Sequence, residues 1–257
     1  MAPPREVLIW GIHPVLEALR SSPGLVREII TQGRPSSAKI QEILDLAGRQ
    51  RIPVSNPARL PLPAGEVPAN HQGVMARLKG FPTCELTDLL NNAPETTPPT
   101  LVALDSIQDP HNLGAIIRSA AAAGVAGVII PKDRSAPLEG AAAKVAAGAM
   151  GRVKICLVTN LADSLRQLKD AGYWIYGAEG QSGQNIHATD LTGKLCLVIG
   201  SEGKGLRPLI RQQCDFLVAI PMSGLVESLN ASVAAGVMLF EIVRQKAGNN
   251  RDKTNKT

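Results

Sequence analysis

The sequence predicts an α/β protein in two parts: a small N-terminal α/β unit, then a larger domain built on a parallel sheet with helices on both faces. Three observations carry that expectation. Beyond Leu101, apolar segments of strand length alternate with segments of helical period, the order that parallel βαβ units require. Those strand segments, VKICLV and LCLVIG among them, are apolar throughout rather than alternating, as strands buried on two faces are. Between the parts lies FPTCELTDLLNNAPETTPPT, polar, acidic and closed by two prolines, which reads as a linker over 81–99 with at most one helical turn.

In the first part, 1–80, strands are expected at Val7–Trp10, Val26–Thr31, near Pro53–Ser55 and at Gly73–Leu78, with helices over Pro14–Arg20 and Ala38–Arg49. In the second, 100–247, strands are expected at 101–104, 128–130, 153–158, 174–178, 195–200 and 216–220. Helices are expected at Leu113–Ala123, near Ala141–Ala147, at Ala162–Ala171, at Pro208–Gln213 and from Asn230 to about Lys246. The last of these is apolar or small on nearly every side, with Ala231, Ala235 and Gly236 allowing close approach. That pattern implies burial on more than one side and so a subunit interface. The basic tail 248–257 is expected to be disordered.

A chain of 257 residues with 44% hydrophobic and 19% charged residues is core-forming and long enough for two domains. No segment approaches the ~18 uninterrupted apolar residues of a spanning helix, and MAPPREVLIWGIHP lacks a charged-then-apolar leader pattern. A cytoplasmic protein with no membrane partner is therefore expected. Cys84, Cys156, Cys196 and Cys214 lie far apart without a C-x-x-C pair, which argues against zinc or a redox pair, and no metal site is expected. Cys156 and Cys196 fall inside apolar runs and read as buried thiols. A net charge of +5 and a pI near 9.2 favour a polyanionic partner, though mildly. Residues 1–80 hold ten Lys/Arg against six acids, a larger excess per residue than the fourteen against twelve of 99–247. With only 3% aromatic residues, a nucleic acid would be gripped through backbone and shape rather than stacked bases.

Ligands of parallel sheets collect at the carboxyl ends of the strands, which directs attention to the turns 105–112, 178–183, 200–205 and 220–230. In LDSIQDPHNLGAIIRSAAAAG, Asn112 precedes a helix with a core stripe at Leu113, Ile116, Ile117, Ala120 and Ala121. It reads about equally as the cap of that helix and as a site residue. Arg118 lies off the stripe and leans back over Gly114 toward the Asn112 turn, a ligand-facing candidate against the default of a surface arginine. The turn in LCLVIGSEGKGL has neither P-loop nor dinucleotide spacing, and Glu202 would repel a phosphate. In the last turn Ser228 or Asn230 either caps the final helix or joins a site. His13 and His71 read first as structural histidines and second as RNA contacts.

NLGAIIRSA, LVIGSEGKGL and IPMSGLVESLNASVAAG resemble, in order and spacing, the three motifs of the SpoU, or TrmH-like, RNA ribose 2′-O-methyltransferases. GIHPVLEAL, HQGVMARLK, PKDRSA and VTNLA extend the likeness over nearly the whole chain, toward the RlmB-type members, which methylate a guanosine of large-subunit ribosomal RNA. The resemblance implies a SPOUT methyltransferase domain with a deep trefoil knot at its C-terminal end. It also implies S-adenosylmethionine held in the knot loops, a homodimer with the active site near its interface, and an N-terminal domain that binds RNA and is similar to a small ribosomal protein. RNA rather than DNA is the implied partner.

Carried over residue by residue, the resemblance assigns Asn112, Arg118, Glu202, Ser228 and Asn230 to the active site, with Arg118 assisting deprotonation of the ribose hydroxyl. Gly200, Ser201, Gly205, Ala178, Ile220, Met222 and Leu229 would enclose the cofactor. A sulfonium ligand without phosphate removes the objection to Glu202. Leu225 and Glu227 depart from the family pattern, standing where some RlmB-type members carry serines. Two other readings stand beside the leading one: a transfer RNA ribose 2′-O-methyltransferase, and a non-catalytic RNA-binding or ribosome-assembly factor.

Overall fold

The computed structural model describes residues 6–33, 37–58, 60, 71–80, 83–91, 98–138, 140–146, 149, 152–180, 184–224 and 228–254. The chain divides into two units, 1–82 with 137–152, and 83–136 with 153–257.

The first unit opens with β1 (Val7–Trp10), α1 (Ile12–Ser21), β2 (Val26–Thr31), α2 (Ala38–Arg49), β3 (Val54–Ser55) and β4 (Val74–Leu78). The sheet order is β1-β4-β2-β3, with β4 antiparallel to both neighbours and β3 parallel to β2. Helix α1 starts two residues before the expected Pro14, because a proline in the first turn lacks only an N–H that would be unpaired there anyway. Val15, Leu16, Ala18 and Leu19 of α1 and Ile40, Ile43 and Ala47 of α2 are its buried stripes, and Ser37 caps α2 by accepting from the Ile40 N–H at 3.3 Å. His71 is a turn residue, its Nδ1 accepting from the Gly73 N–H at 3.0 Å.

The second unit holds β5 (Thr83–Cys84), α3 (Leu86–Asn91), β6 (Thr100–Asp105), α4 (Pro110–Ala122) and β7 (Gly127–Pro131). Helix α5 (Gly140–Ala146) comes next in the chain and groups with the first unit. After it follow β8 (Lys154–Val158), α6 (Leu161–Asp170), β9 (Trp174–Ala178), β10 (Leu195–Gly200), α7 (Pro208–Gln213), β11 (Phe216–Val218) and α8 (Ala231–Thr254). The sheet runs β11-β9-β10-β6-β7-β8-β5, and every pairing in it is parallel. All five residues of β7 and all six of β10 are buried, as continuous apolar strands predict. Alternate residues Leu101, Ala103, Ile129, Cys156, Cys196 and Val198 share one core with Leu161, Leu165 and Leu168 of α6. Helix α4 packs on α8.

Three elements differ from the sequence reading. Part of the expected linker, Thr83–Asn91, is an edge strand and a helix of the large sheet. Its Leu86 and Leu89 are buried, and Leu89 rests where a side chain on Gly127 would stand, since a Cβ there would lie 2.6 Å from Leu89 Cδ2. Burying two leucines is worth about 1.5–3 kcal/mol each, enough to recruit a short polar segment. The helix expected to cover the parallel sheet near 141–147 instead packs on β1, where Ala142, Ala143 and Ala146 allow close approach and Lys144 Nζ stands 5.2 Å from the centre of the Trp10 ring. The last helix runs on to Thr254, through most of the tail expected to be disordered.

All four cysteines are free, and burial pushes the Cys156 thiol up to about 12. Among the described residues no helix is long and apolar enough to cross a membrane.

Candidate active site

Strands β6 and β10 lie side by side at the centre of the sheet, and the chain leaves β6 toward β7 on one side and returns to β10 on the other. This is the switch point at which open parallel sheets form their ligand crevices. The loops after β6, β10 and β11 supply the site.

After β6, Asp109 rather than Asn112 caps α4, its side chain accepting from the His111 N–H at 2.9 Å, and Pro110 occupies the first helical position. Asn112 is thereby relieved of the capping role and sits buried in the first turn. Its Nδ2 donates to Glu202 Oε1 at 2.8 Å across 90 residues of sequence.

After β10 the chain closes a tight turn, with Ser201 N–H to Gly205 O at 3.1 Å and Gly205 N–H to Ser201 O at 2.9 Å. Only glycine fits at 200, because a Cβ would lie 2.3 Å from the Gly205 carbonyl carbon and 2.6 Å from the Leu206 nitrogen. The turn presents Glu202 to Asn112 and to the start of α8.

There, Asn230 does two jobs with one amide. Its Oδ1 caps the helix, accepting from the Ser232 N–H at 3.0 Å, the Ser232 hydroxyl at 2.6 Å and the Val233 N–H at 3.3 Å. With the oxygen committed to the helix, Nδ2 must face the other way, where it donates to Asn112 Oδ1 at 3.0 Å and to Glu202 Oε1. The Ala231 N–H also approaches Glu202 Oε1, at 3.4 Å, so the carboxylate stands at the positive end of α8. Asn112, Glu202 and Asn230 thus converge from three loops into one hydrogen-bonded cluster.

Beside this cluster opens a cavity of about 430 Å³, within the range of small-molecule sites. Its walls include every residue expected to enclose a cofactor: Ala178 from β9, Gly200, Ser201 and Gly205 from the β10 turn, and Ile220, Met222 and Leu229 from the loop before α8. Glu202 and Ser228 also line it. Arg118 is exposed on α4 and is not among these lining residues. Leu225 and Glu227 lie outside the described residues, as do positions 181–183 of the β9 turn.

Sequence reasoning missed several neighbours. Ala234 and Met238 of α8 form part of the wall, signalled only by the small and apolar residues that continue along that helix face. Glu179 and Lys204 stand at the same cavity, and Glu179 is paired to Arg211 Nε at 3.0 Å. Asp105, the last residue of β6, is fully buried beneath the site.

Comparison with known proteins identifies the family. Residues 99–240 match the SpoU rRNA methylase family, and residues 8–83 match the RNA 2′-O ribose methyltransferase substrate-binding domain. The 23S rRNA (guanosine-2′-O-)-methyltransferase RlmB of Pseudomonas putida is 44% identical over 242 residues, 93% of this chain and 96% of that protein. The protein of the same name from Escherichia coli is 42% identical over 241 residues, 93% and 99% of the two chains. Among solved structures, the SpoU methyltransferase AviRb of Streptomyces viridochromogenes, in complex with the cofactor AdoMet, superposes with a TM-score of 0.74 at 27% identity, covering 95% of this chain and 91% of that one. With its large unit matched as a family domain and its relatives covered nearly end to end, the chain belongs to the SpoU rRNA methylase family.

Proposed function

We propose that this protein transfers the methyl group of S-adenosylmethionine to the ribose 2′-hydroxyl of a guanosine in large-subunit ribosomal RNA, working in the cytoplasm. The observation that carries the reading is the Asn112–Glu202–Asn230 cluster at the rim of a cavity walled by the expected cofactor residues. Similarity to RlmB proteins over more than nine-tenths of the chain supports 23S ribosomal RNA as substrate.

The cavity suits the cofactor. Ile220, Met222, Leu229 and Met238 offer apolar contact to an adenine and an aliphatic stem, and the Gly200 turn exposes backbone groups at close range. The Glu202 carboxylate at its rim suits a sulfonium and would repel a phosphate. When bound, S-adenosylmethionine supplies an electrophilic methyl group that needs alignment more than activation.

The chain's own residues then do the aligning. Glu202, gripped at one oxygen by two amides and a backbone N–H, is fixed in direction. Orientation of this kind supplies roughly 7–11 kcal/mol, against about 3–5 kcal/mol for a positioned base. Arg118 serves as a donor that orients the hydroxyl and stabilises the developing alkoxide, since a guanidinium is a donor without a free lone pair and makes a poor base.

Arg118 reaches the reaction through a homodimer. On α8 the large apolar side chains Val233, Val237, Phe240 and Val243 are exposed, the first and third at 50% and 52%, at the spacing of one helix face. A second copy covering that stripe lies against the helix pair α4–α8 and so near Arg118. The family's trefoil knot, formed by the loops that wall the cavity, belongs to the same reading, as does RNA binding by residues 1–80 with their excess of four bases over acids.

The test is transfer of labelled methyl to separate pools of large-subunit RNA, small-subunit RNA and transfer RNA, with the modified ribose mapped. Label in the large-subunit pool alone is expected; label confined to transfer RNA would replace the substrate. Arg118→Ala should bind S-adenosylmethionine with unchanged affinity in calorimetry and lose methylation about 10²–10³-fold.

A further inference from the structure

Asp105 is the one fully buried carboxylate among the described residues, and the chemistry above does not use it. It ends β6, directly beside Gly200 in the β6–β10 register. Its Oδ2 accepts from the backbone N–H of Arg207 at 2.8 Å, and its Oδ1 accepts from the Arg207 Nε at 2.6 Å and the Ser106 hydroxyl at 3.3 Å. The partner residue lies 102 positions away, where the Glu202 turn ends.

A carboxylate taken wholly out of water is tolerated only when its lone pairs are filled by donors, preferably charged ones. Here the filling has a particular form. One carboxylate holds both the main chain and the side chain of the same residue, so Arg207 cannot slide along β6 without breaking two bonds at once. The Gly200 end of the turn is held by strand pairing to the same residue. Both ends of the segment 200–207 are therefore referred to Asp105, seven residues before Asn112.

We propose that the Asp105–Arg207 pair is a positioning clamp that sets the 200–207 turn against β6, so that Glu202 meets Asn112 and Asn230 at the cavity rim. The clamp rests on the functional reading above for its consequence in catalysis, and on geometry alone for its hold on the turn. An ion pair serving only the fold would lower the melting temperature and leave the turn and its ligand untouched in the folded molecule. A clamp predicts local effects in protein that is fully folded.

The experiment compares Arg207→Ala and Asp105→Asn with the unchanged protein in three measurements: amide hydrogen exchange, calorimetric affinity for S-adenosylmethionine, and steady-state methylation of large-subunit RNA. Arg207 is half-exposed, so Arg207→Ala should fold, and Arg207→Lys provides a charge-preserving control that lacks the Nε donor. The expected result is exchange at least tenfold faster in 200–206 with β7 and β8 unchanged, cofactor affinity weakened about 10–100-fold as small displacements of a site produce, and an unchanged KM for RNA. Arg207→Lys should recover little of this. Unaltered exchange in 200–206 in both neutralising variants overturns the clamp. Faster exchange with unaltered cofactor affinity and turnover also overturns it as a device of the site. If the unchanged protein binds no S-adenosylmethionine, the functional reading falls, and the exchange measurement still decides whether the pair holds the turn.

Discussion

The two sheets of this protein treat polar residues in opposite ways. In the first unit β2 and β4 are antiparallel, and Glu28 and Arg77 face each other in mid-strand, in register and partly exposed. Arg77 also reaches Glu6 at 3.1 Å, and the Ser55 hydroxyl, ahead of the Arg77 guanidinium, holds the Glu28 carboxyl below its usual value. Charges here sit along the strands. In the second unit every pairing is parallel, β7 and β10 are buried from end to end, and no charged side chain occupies the body of either strand. Polar groups are displaced to the strand ends: Asp105 at the tip of β6, Glu202 just past β10, Asn230 at the start of α8. A sheet solvated on part of one face spreads its charges, whereas a sheet covered on both faces concentrates them at one edge. Concentration at an edge is what brings three loops into a single site.

Breaking the cluster tests that contrast most severely. Glu202→Ala leaves two amides and a backbone N–H without their shared acceptor, and turnover at saturating cofactor should fall about 10²–10³-fold, the usual cost of losing a preorganised electrostatic partner. Steady-state methylation of large-subunit RNA measures it, and turnover within a few-fold of the unchanged protein would remove Glu202 from the mechanism.

Next in size is Gly200→Ala. The added methyl meets the Gly205 and Leu206 backbone, which no rotamer can avoid, so the turn must open. A loss of roughly 1–3 kcal/mol in a denaturant titration is expected, with cofactor binding impaired beyond that.

Asn230→Ser separates the two roles of one amide. Serine keeps a capping oxygen for α8 but has no Nδ2 to give to Asn112 and Glu202. The melting temperature should stay close to that of the unchanged protein, while Asn230→Ala should cost about 0.5–2 kcal/mol; both should lose methylation alike. Equal activity of the serine variant and the unchanged protein would reduce Asn230 to a cap.

The smallest effect belongs to the first unit. Arg77→Ala removes two solvent-screened pairs and should change unfolding free energy by under about 1 kcal/mol, with the calorimetric affinity for S-adenosylmethionine unaltered. A larger loss would show that charges along a half-solvated sheet matter as much as those at a buried edge.

Much of this molecule was readable from the chain alone. The strands and helices of both units, the parallel class of the large sheet and the turns that carry the site follow from local signals: apolar runs of strand length, helical stripes, and polar glycine-bearing breaks between them. Each such signal is spent within about ten residues, and no distant partner is needed to generate it. Tertiary structure decided the rest. It gave the cap of α4 to Asp109 and freed Asn112, and it drew Thr83–Asn91 out of a linker onto the sheet edge. It extended α8 to Thr254, paired Asp105 with Arg207 across 102 residues, and joined Asn112 to Asn230 across 118. Those outcomes depend on strand order, which sets residues far apart in sequence at hydrogen-bonding distance, and no local pattern encodes a partner a hundred positions away.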